Sequence, residues 1–392
     1  MIASRRQEFN RHWTEEKYQR FRAILESRCG EREQFRHSET PCFFPTHLID
    51  RLASYGIEIV EQLLADCRYQ EASRAEIPER YRIPNEDSKP LFVQGDFGLD
   101  ENLEPKLVEI QGFPSLYSYQ PIVADAYREA FAIEDSLAAY PGNLNSGQYW
   151  SLLRAAIVGR RDPENVILLE IDPANQKTRH DFVITEQRFG VRAVDIRDLR
   201  KQGNRLFYPR DGKMIPVDRI YNRTIIDELE RRGIELTFDL RDDFDVEWAG
   251  HPNWFFRLSK FSLPFLTHPV VPRTQFLSQA GHIGDLEKFV LKPLYSFAGT
   301  GVIVGPAREQ IDAIPPQHRN NYILQERVAF RPVIDTPYGM TKVEIRIMYI
   351  WIAGGLRHVN TIIRMGRGAQ MGVDFNKGYQ WVGASAAYTE TA

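Results

Sequence analysis

The chain has little cysteine, almost no net charge and no long hydrophobic run. Its 3 cysteines, Cys29, Cys42 and Cys67, lie far apart, so neither a CxxC zinc motif nor a disulfide framework is indicated. A formal net charge of -3 gives no general attraction to nucleic acid or to anionic membranes. No apolar run approaches the roughly 20 residues that span a bilayer. These absences predict a cytoplasmic protein without nucleic-acid or membrane partners.

A secretory signal is not expected either. Residues 1–8 carry positive charge but are followed by polar residues instead of an apolar core. What the sequence does provide is length: 392 residues, of which 43% are hydrophobic, suffice for two or three packed domains. The length therefore permits an active site between domains.

Hydrophobic periodicity divides the chain into a helical beginning and a mixed remainder. In 5–28 and 46–76 apolar residues recur every three or four positions, which is typical of amphipathic helices. Residues 77–90 are rich in proline and charge, which indicates a linker. Strands are predicted at 91–93 and 106–110 on either side of a turn, so a hairpin begins the second unit.

Beyond this hairpin the pattern alternates between helix and strand. A helix is predicted over 117–139, and the order strand 166–171, helix 178–189 and strand 191–196 predicts a βαβ unit. No GxGxxG follows the first of these strands, so a dinucleotide site is not expected. Further predictions are a hairpin around Asp211 and Gly212, a helix through Glu230, and strands at 219–223, 288–292, 301–304, 322–325, 343–352 and 357–363.

A lysine and a glycine-rich loop lie together near the C-terminus. Lys292 ends a predicted strand, and the loop 295–301 that follows contains Ser296, Gly299 and Gly301. Small side chains let backbone N–H groups approach phosphate oxygens, while the lysine ammonium neutralises phosphate charge. The loop lacks the GxxxxGK[ST] spacing of a P-loop, and a lone glycine-rich turn is also compatible with a simple hairpin.

Two further segments carry polar residues on predicted strands. The strand at 322–325 ends in Gln325-Glu326 and is followed by Val328, where backbone groups are able to read an adenine edge. Near the N-terminus, Asp96 precedes the turn of the predicted hairpin, and Glu109 and Gln111 follow it on one face of a strand. Magnesium prefers one or two carboxylates plus phosphate oxygens and water, so these positions predict a metal site.

The order of these motifs resembles that of the ATP-grasp superfamily. Its members hold ATP between two α+β subdomains, with lysines on strands, a glycine loop over the phosphates, and magnesium held by an Asp and a Glu-x-Asn. Here the metal motif precedes the nucleotide motifs, as in circularly permuted members such as eukaryotic-type glutathione synthetase and glutathionylspermidine synthase. Joining residue 392 to residue 91 would approximately restore the usual order. The resemblance covers 91–120 and 219–380.

The resemblance implies an α/β fold in which a circularly permuted α+β ATP-grasp module is assembled around a central Rossmann-like βαβ domain. Residues from both ends of the chain would build the nucleotide site. The predicted units are an N-terminal helical segment at 1–90, the permuted metal-motif part of the module at 91–150, an α/β substrate domain at 151–272 and the nucleotide-binding part at 273–392.

The resemblance also implies ATP and Mg²⁺ as cofactors and gives particular residues a role. Arg346 would face the γ-phosphate, although a strand arginine paired with Glu344 is an alternative interpretation. Gln111 departs from the asparagine usual in the family, and its extra methylene would shift or weaken the second metal. The predicted site residues are Arg346 and Arg364 as catalytic; Lys260, Lys292, Ser296, Gly299, Gly301, Gln325, Glu326 and Val328 as nucleotide-binding; Asp96, Glu109 and Gln111 as metal-binding; and Arg223 and Asn376 as substrate-binding.

The implied activity is that of an ATP-dependent carboxylate–amine ligase. It would act through an acyl phosphate on small-molecule or peptide-like carboxylate and amine substrates, releasing ADP and phosphate. One alternative is phosphoryl transfer to a non-carboxylate acceptor, because the same ATP site serves either reaction. Another is a non-catalytic nucleotide-binding protein, which is motivated by Gln111 and by the absence of an acidic residue in the loop 295–301. The patterns do not predict the oligomeric state or the identity of the substrates.

Overall fold

The structure is a computed structural model that describes residues 1–32, 34–281, 283–296 and 299–390. It is a mixed α/β protein with several sheets, as the sequence predicts. Within these ranges, no helix has the length and apolar composition that crossing a membrane requires.

Helices dominate the first 75 residues and recur between the sheets. The buried residues of the third helix are spaced by three and four, and they pack beneath the largest sheet. Thr14 caps the second helix by accepting a hydrogen bond from the Lys17 N–H group, and Gly30 ends it in the left-handed conformation. The α-helices are α1 Ala3–His12, α2 Glu15–Cys29, α3 Thr46–Ala65, α4 Cys67–Ala75, α5 Tyr119–Phe131, α6 Ser146–Ile157, α7 Arg179–Phe189, α8 Ile226–Arg231, α9 Asn253–Arg257 and α10 Arg308–Asp312.

The strands form four sheets within the described ranges. They are β1 Cys42–Phe44, β2 Phe92–Leu99, β3 Pro105–Gln111, β4 Leu137–Ala138, β5 Val166–Glu170, β6 Arg192–Asp195, β7 Arg200–Gln202, β8 Arg205–Arg210, β9 Lys213–Val217, β10 Arg219–Asn222, β11 Glu247–Ala249, β12 Thr274–Phe276, β13 Phe289–Pro293, β14 Ile303–Val304, β15 Tyr322–Glu326, β16 Lys342–Ile352, β17 Gly355–Gly366 and β18 Gly383–Glu390. Turns of 3₁₀ helix lie at Lys260–Phe265 and Val373–Asn376.

The largest sheet takes strands from both ends of the chain. Its order is β1-β18-β17-β16-β2-β3, and β4 also pairs with β18. The pair β1–β18 is parallel, and the other pairs are antiparallel. The predicted hairpin β2–β3 therefore joins the C-terminal strands through β16. Hydrophobic side chains of β16 alternate between two core clusters, with Ile345 and Ile347 on one face and Met348 and Ile350 on the other.

A second sheet is wholly parallel and has the order β11-β10-β5-β6. The βαβ unit predicted from the sequence is present as β5-α7-β6. From β5 the chain continues to β6 on one side of the sheet and later to β10 on the other. In sheets of this kind the strand order reverses at a switch point, and ligands bind outside the carboxyl ends of the strands there. The switch point lies between β5 and β10.

A third sheet, with the antiparallel order β12-β15-β13-β14, carries the predicted lysine and glycine loop. The fourth sheet is the antiparallel meander β7-β8-β9, which contains the hairpin predicted around Asp211. In the sequence these short strands lie between β6 and β10 of the parallel sheet. The buried side chains of β8 belong to the same hydrophobic core cluster as some of those of β5 and β10.

Two predictions of secondary structure need correction. The helix predicted over 117–139 is shorter, since α5 ends at Phe131 and Ala132 adopts the left-handed conformation with φ 53°. Residues 137–138 then form β4, because this segment pairs with the end of β18. The strand β18 was not predicted, since its small residues in 383–387 lack a strong strand pattern; its pairing with β17 determines its conformation.

Candidate functional site

A cleft of about 560 Å³ lies where the largest sheet, the third sheet and the carboxyl ends of the parallel sheet meet. Side chains from all three sheets form its wall. Most of the residues predicted to form the site lie here, although more than 200 residues separate the first of them from the last in the sequence. Those lining the cleft are Asp96, Glu109, Gln111, Arg223, Lys260, Lys292, Ser296, Gly299, Gln325, Glu326, Val328, Arg346 and Arg364.

Lys292 is a buried basic residue of the cleft. It lies on β13 and its Nζ donates to the Val108 carbonyl at 3.0 Å and to Gln325 Oε1 at 2.5 Å. Burial lowers the pKa of this ammonium to about 8, although nearby Glu109 raises it. These hydrogen bonds also join β13 and β15 to β3 of the largest sheet. Lys292 thus holds two sheets together, and it forms no direct salt bridge with the residues that the structure describes.

Lys260 approaches the same region from the opposite wall. It begins a 3₁₀ turn whose N-cap is Ser259, and its Nζ donates to the Ser296 carbonyl at 3.0 Å. The distance from this Nζ to Glu109 Oε2 is 3.9 Å. Lys260 therefore fixes the start of the glycine loop and stays close to a carboxylate of β3.

Asp96 lies between two arginines on neighbouring strands. Arg346 Nε and Nη2 donate to its two oxygens at 2.5 and 2.6 Å, and Arg364 Nη2 donates to Oδ2. Burial opposes the ionisation of Asp96, yet the two guanidinium groups outweigh it and lower its pKa to about 2. As predicted, Asp96 and Glu109 lie on neighbouring strands, as direct partners in register. Binding of a metal to Asp96 would require at least one of these ion pairs to open.

Glu344 is a cleft residue that sequence analysis assigned only as a possible partner of Arg346. Its Oε1 instead contacts Arg364 Nη2 at 2.5 Å. Burial raises the pKa of Glu344 to about 7, although Arg364 acts in the opposite direction. The alternation of β16 puts Glu344 and Arg346 on one face, opposite the apolar residues Ile345 and Ile347. That alternation was visible in the sequence and could have identified Glu344.

Glu109 and Gln111 are held less tightly than Asp96. The Oε1 atom of Glu109 is 3.6 Å from Arg346 Nη2, and about a quarter of its side chain is exposed. Gln111 donates through Nε2 to Gln94 Oε1 at 2.7 Å, and the Oε1 atom of Gln111 takes no part in this hydrogen bond. Among the residues described, no group of three or more His, Cys, Asp or Glu side chains is arranged to hold a metal ion. Glu109 and Gln111 are the predicted metal ligands with oxygens least committed to partners inside the protein.

The glycine loop follows β13 as predicted. Gly299 and Gly301 have φ angles of +76° and +73°, which a residue with a Cβ atom rarely adopts. A Cβ on Gly301 would also lie 2.8 Å from Pro293, so the turn requires glycine there. Gly299 lines the cleft, whereas Gly301 lies in the same turn but outside the wall. Two residues of the predicted loop, Phe297 and Ala298, lie outside the described residues.

Three of the predicted nucleotide-binding residues, of which Gln325 and Val328 were predicted to read an adenine edge, lie at or just beyond the end of β15. Gln325 is buried and uses its amide oxygen to accept from Lys292. Glu326 is exposed, and its backbone N–H donates to the Arg273 carbonyl at 2.8 Å. Val328 follows in the connection to β16 and lines the cleft with Glu326. Their role in recognising a base stays a prediction.

The other end of the cleft lies over the switch point of the parallel sheet. We call Glu170, Thr178 and Arg223 the sheet-end site, since Glu170 ends β5, Arg223 follows β10, and Thr178 immediately precedes α7. Arg223 donates to the Pro114 carbonyl and, through Nη2, to Thr178 Oγ1 at 3.2 Å. Burial raises the pKa of Glu170 to about 8, although Arg223 lowers it. Sequence analysis found Arg223 but missed Glu170.

Residues 112–118 connect the two ends of the cleft. Gln94 Nε2 donates to the Ser115 carbonyl at 2.7 Å, and Arg346 Nη1 donates to Gln94 Oε1 at 3.2 Å. The adjacent Pro114 carbonyl accepts from Arg223. The segment is thus linked to Arg346 through the side chain of Gln94, and it contacts Arg223 directly.

Asn376 does not line the cleft. Its side chain is buried and accepts from the backbone N–H groups of Arg367 and Gly368 at 2.8 and 2.9 Å. Its amide nitrogen donates to the carbonyls of Gln370 and Gly372 at 2.9 and 3.0 Å. Asn376 therefore fixes the loop 367–372, part of which lines the cleft, and direct contact with a substrate would require these bonds to break.

Several donors in the cleft wall lack an acceptor. The atoms Ser296 Oγ, Arg364 Nε and Arg223 Nε are buried without a hydrogen-bond partner among the described residues. Unsatisfied buried donors are uncommon in folded proteins. All three lie in side chains that line this cleft, and an acceptor-rich ligand would be able to satisfy them after small rotations.

Compared with known protein families and with curated proteins, the chain has no match.

Proposed function

We propose that this protein is an ATP-dependent ligase that joins a carboxylate to an amine. The observation that carries the proposal is the convergence of Lys260, Lys292, Arg346 and Arg364 in one cleft with a second, mixed-charge site at its other end. We call these four residues the cation cluster. The first end suits a polyanion and the second suits a small polar substrate, so one cleft offers space for both partners of a ligation.

The cation cluster has the chemistry that phosphate groups need. Guanidinium groups bind phosphate through two parallel hydrogen bonds, and ammonium groups act as point charges. The low local dielectric of a buried site strengthens these interactions with charge that develops on a transferring phosphoryl group. Arg346 is fixed by Asp96 and Gln94, so little side-chain order remains to be lost when it binds a ligand. Catalysis by this cluster would consist of positioning and charge neutralisation.

The carboxylates would divide their work between arginines and metal. Asp96 holds both arginines in place through ion pairs. Glu109 and Gln111 would hold Mg²⁺, because carboxylate and amide oxygens are suitable ligands and the ion takes its other ligands from phosphates and water. In this arrangement the chain contributes few ligands, as is usual for magnesium sites at nucleotides.

ATP would supply the phosphoryl group that turns a substrate carboxylate into an acyl phosphate. The chain's own residues would bind and orient the two reactants. Ser296 and Gly299, at the start and in the middle of the loop after β13, lie where they would cover the phosphates and exclude water. No side chain of the cleft needs to act as a nucleophile, because the phosphorylated carboxylate is itself reactive.

The first test is nucleotide binding by isothermal titration calorimetry, with and without Mg²⁺. Lys292→Ala should weaken ATP binding by about 10- to 100-fold, since a hydrogen bond to a charged group contributes about 1.5–3 kcal/mol. Lys288→Ala is the matched control, because this lysine lies four residues earlier, is 74% exposed and contacts only Asp285 among the salt bridges of the described residues. Equal ATP affinity in the wild type and Lys292→Ala, with both folded by circular dichroism, would sink the proposed site.

The second test separates ligation from the alternatives. ADP release that depends on an amine, together with an intermediate that hydroxylamine traps, would support an acyl phosphate. ADP release without trapping would favour phosphoryl transfer to another acceptor. Binding of ATP without turnover would favour a nucleotide-binding protein, an alternative that the engagement of Asp96 by two arginines supports.

A further inference from the structure

We infer that the sheet-end site binds a small zwitterion, namely a free amino acid whose carboxylate contacts Arg223 and whose ammonium contacts Glu170. Its assignment as the amine substrate rests on the proposed function, whereas the binding site itself is argued from geometry and charge. The site lies in the same cleft as the cation cluster.

The topology of the parallel sheet identifies the position. Glu170 ends β5, and Arg223 directly follows β10, where Asn222 is the register partner of Leu169. The two side chains therefore lie on either side of the switch point, at the carboxyl ends of adjacent strands. Loops that follow these strands complete the wall, with Gln176 and Thr178 after β5 and Ile225 after β10. This is where open parallel sheets bind ligands.

The residues around the switch point do not suit a nucleotide. The segment 171–178 after β5 contains Pro173 and no glycine, so its backbone cannot approach a pyrophosphate closely. The lining of this end has mixed charge, with Glu170 and Glu228 beside Lys177, Arg223 and Arg231, whereas a polyphosphate needs mainly cations. A ligand with one charge of each sign avoids both problems.

Charge pairing at this end singles out two residues. Most ionised groups near the switch point have an intramolecular partner, as in the ion pairs Lys177–Asp374 and Arg232–Glu228. Glu170 and Arg223 form no salt bridge within the described part of the chain, although both are buried. Buried charges are costly unless they are paired. Arg223 lowers the pKa of Glu170 and opposes the effect of burial on the pKa of Asp181, but it forms a direct ion pair with neither. An acid and a base on adjacent strands without a direct ion pair are complementary to a ligand with an ammonium and a carboxylate.

Both side chains are held in place before any ligand binds. The guanidinium carbon of Arg223 lies 5.0 Å from the ring centre of Phe113 and 5.5 Å from that of Phe182, and Arg223 also donates to Pro114 and Thr178. Its Nε is a buried donor without a partner among the residues described. The Oε1 atom of Glu170 accepts from the Ile171 N–H group at 2.8 Å. This fixed geometry lowers the entropy cost of recognising a small ligand.

The segment 112–118 gives such a ligand access to the other half of the cleft. Its Pro114 carbonyl contacts Arg223, and its Ser115 carbonyl accepts from Gln94, which also accepts from Arg346. An amine bound between Glu170 and Arg223 would therefore lie at the border of the cation cluster, where the activated carboxylate would form.

The experiment is calorimetric titration of the full chain with each of the twenty common amino acids. At least one should bind, and its N-acetyl and methyl-ester forms should each bind at least about tenfold more weakly, because the first lacks the ammonium that would contact Glu170 and the second lacks the carboxylate that would contact Arg223. Arg223→Gln should weaken binding of the free amino acid by at least about tenfold. Glu170→Gln should weaken binding of the free amino acid by about three- to tenfold, since the amide keeps a hydrogen-bond acceptor but cannot ionise beside the ligand's ammonium. Arg223→Lys keeps the charge but loses the planar guanidinium group. Its affinity for the free amino acid should lie between those of the wild type and Arg223→Gln.

Two matched controls lie at the opposite end of the same sheet. Arg161→Gln and Glu247→Gln remove the exposed ion pair beside the start of β11 and should change the affinity less than about twofold. The inference is overturned if no amino acid binds, if both capped forms bind as well as the free amino acid, or if Arg223→Gln and Glu170→Gln bind like the controls. Each variant is checked for folding by circular dichroism, and Arg223→Lys preserves the test if Arg223→Gln does not fold.

Failure of this inference is distinguishable from failure of the proposed function. If ATP binds in a Lys292-dependent manner while no amino acid binds, the zwitterion site is wrong and the nucleotide site stands. If an amino acid binds through Glu170 and Arg223 while ATP does not bind, the zwitterion site stands and the ligase proposal falls.

Discussion

The two ends of the cleft carry similar residue types but use them differently. In the cation cluster, Arg346 and Arg364 share the carboxylate of Asp96, and Arg364 also contacts Glu344. At the sheet-end site, Glu170 and Arg223 form no salt bridge within the described residues. Charges of the first kind stabilise the protein's own arrangement of strands. Groups of the second kind are held by rings and backbone groups; Arg223 lowers the pKa of Glu170 without a direct ion pair, which leaves both side chains open to contact with a ligand.

The comparison separates two ways of burying charge. Removing one partner of a buried ion pair leaves an uncompensated charge and destabilises the protein. Neutralising a charge that has no partner removes a cost and stabilises it. Stability measurements on single variants at the two ends should therefore have opposite signs, and the pH dependence of binding should show which charges contact the ligand.

The largest effect is expected at Asp96. Asp96→Ala should lower the free energy of unfolding by about 3 kcal/mol at pH 7, the lower end of the range for a broken buried pair, because Glu344 still compensates Arg364. The measurement is urea unfolding followed by circular dichroism. Arg161→Ala is the control, since it breaks an ion pair with Glu247 whose side chains are 43% and 45% exposed and should cost less than about 1 kcal/mol. Equal losses in the two variants would contradict the buried network.

A stabilising effect is expected at Glu170. Its pKa in the folded protein, about 8, is raised by burial above the ordinary 4.5, so its contribution to stability is complete below pH 4.5 and is lost as the pH rises through 8. Glutamine has no proton to lose. Glu170→Gln should therefore be about 1–3 kcal/mol more stable than the wild type at pH 8 and nearly equal to it at pH 4. Urea unfolding at both pH values tests this difference, and a destabilised variant at pH 8 would show that Glu170 has a partner.

The smallest effect is the pH dependence of ATP binding. Burial lowers the pKa of Lys292 to about 8, so its ammonium is present at pH 7 and largely lost at pH 9. ATP affinity should fall by up to about tenfold between these values, equivalent to about 1.4 kcal/mol. Lys292→Arg keeps its charge at pH 9 and should give a flatter profile. Equal pH profiles for the two proteins would show that another group titrates.

Much of the local structure could be predicted from the sequence. The hairpin β2–β3 follows from two apolar strands around a turn, whereas the irregularity between Asp96 and Phe97 that pairs Asp96 with Glu109 was not predicted. The βαβ unit follows from the change of hydrophobic period between 166 and 196. The helix α5 was predicted too long because its last predicted residues pair with β18 instead, a contact over more than 200 residues.

The site was predicted as a set of residues but not as a set of contacts. The sequence indicated metal chemistry for Asp96, yet the arginines that engage it lie 250 and 268 residues away in the chain. Such a partnership depends on the pairing of β2 with β16, which no local pattern indicates. Glu170 was overlooked because it ends a buried strand like an ordinary boundary residue. An acid at the carboxyl end of a fully apolar parallel strand is the signal that could have revealed it.

The pairing of β2 with β16 has a consequence for how the protein is made in the cell. The edge of β2 that β16 covers has no partner until residues 342–352 have been synthesised. At about 5–20 residues per second, that interval lasts on the order of 10–50 seconds. During it, a hairpin with an unpaired edge and an uncompensated aspartate stays open to wrong strand pairing and to chaperones. Each newly made chain therefore remains incompletely folded, and exposed to wrong strand pairing, for most of the time that its translation takes.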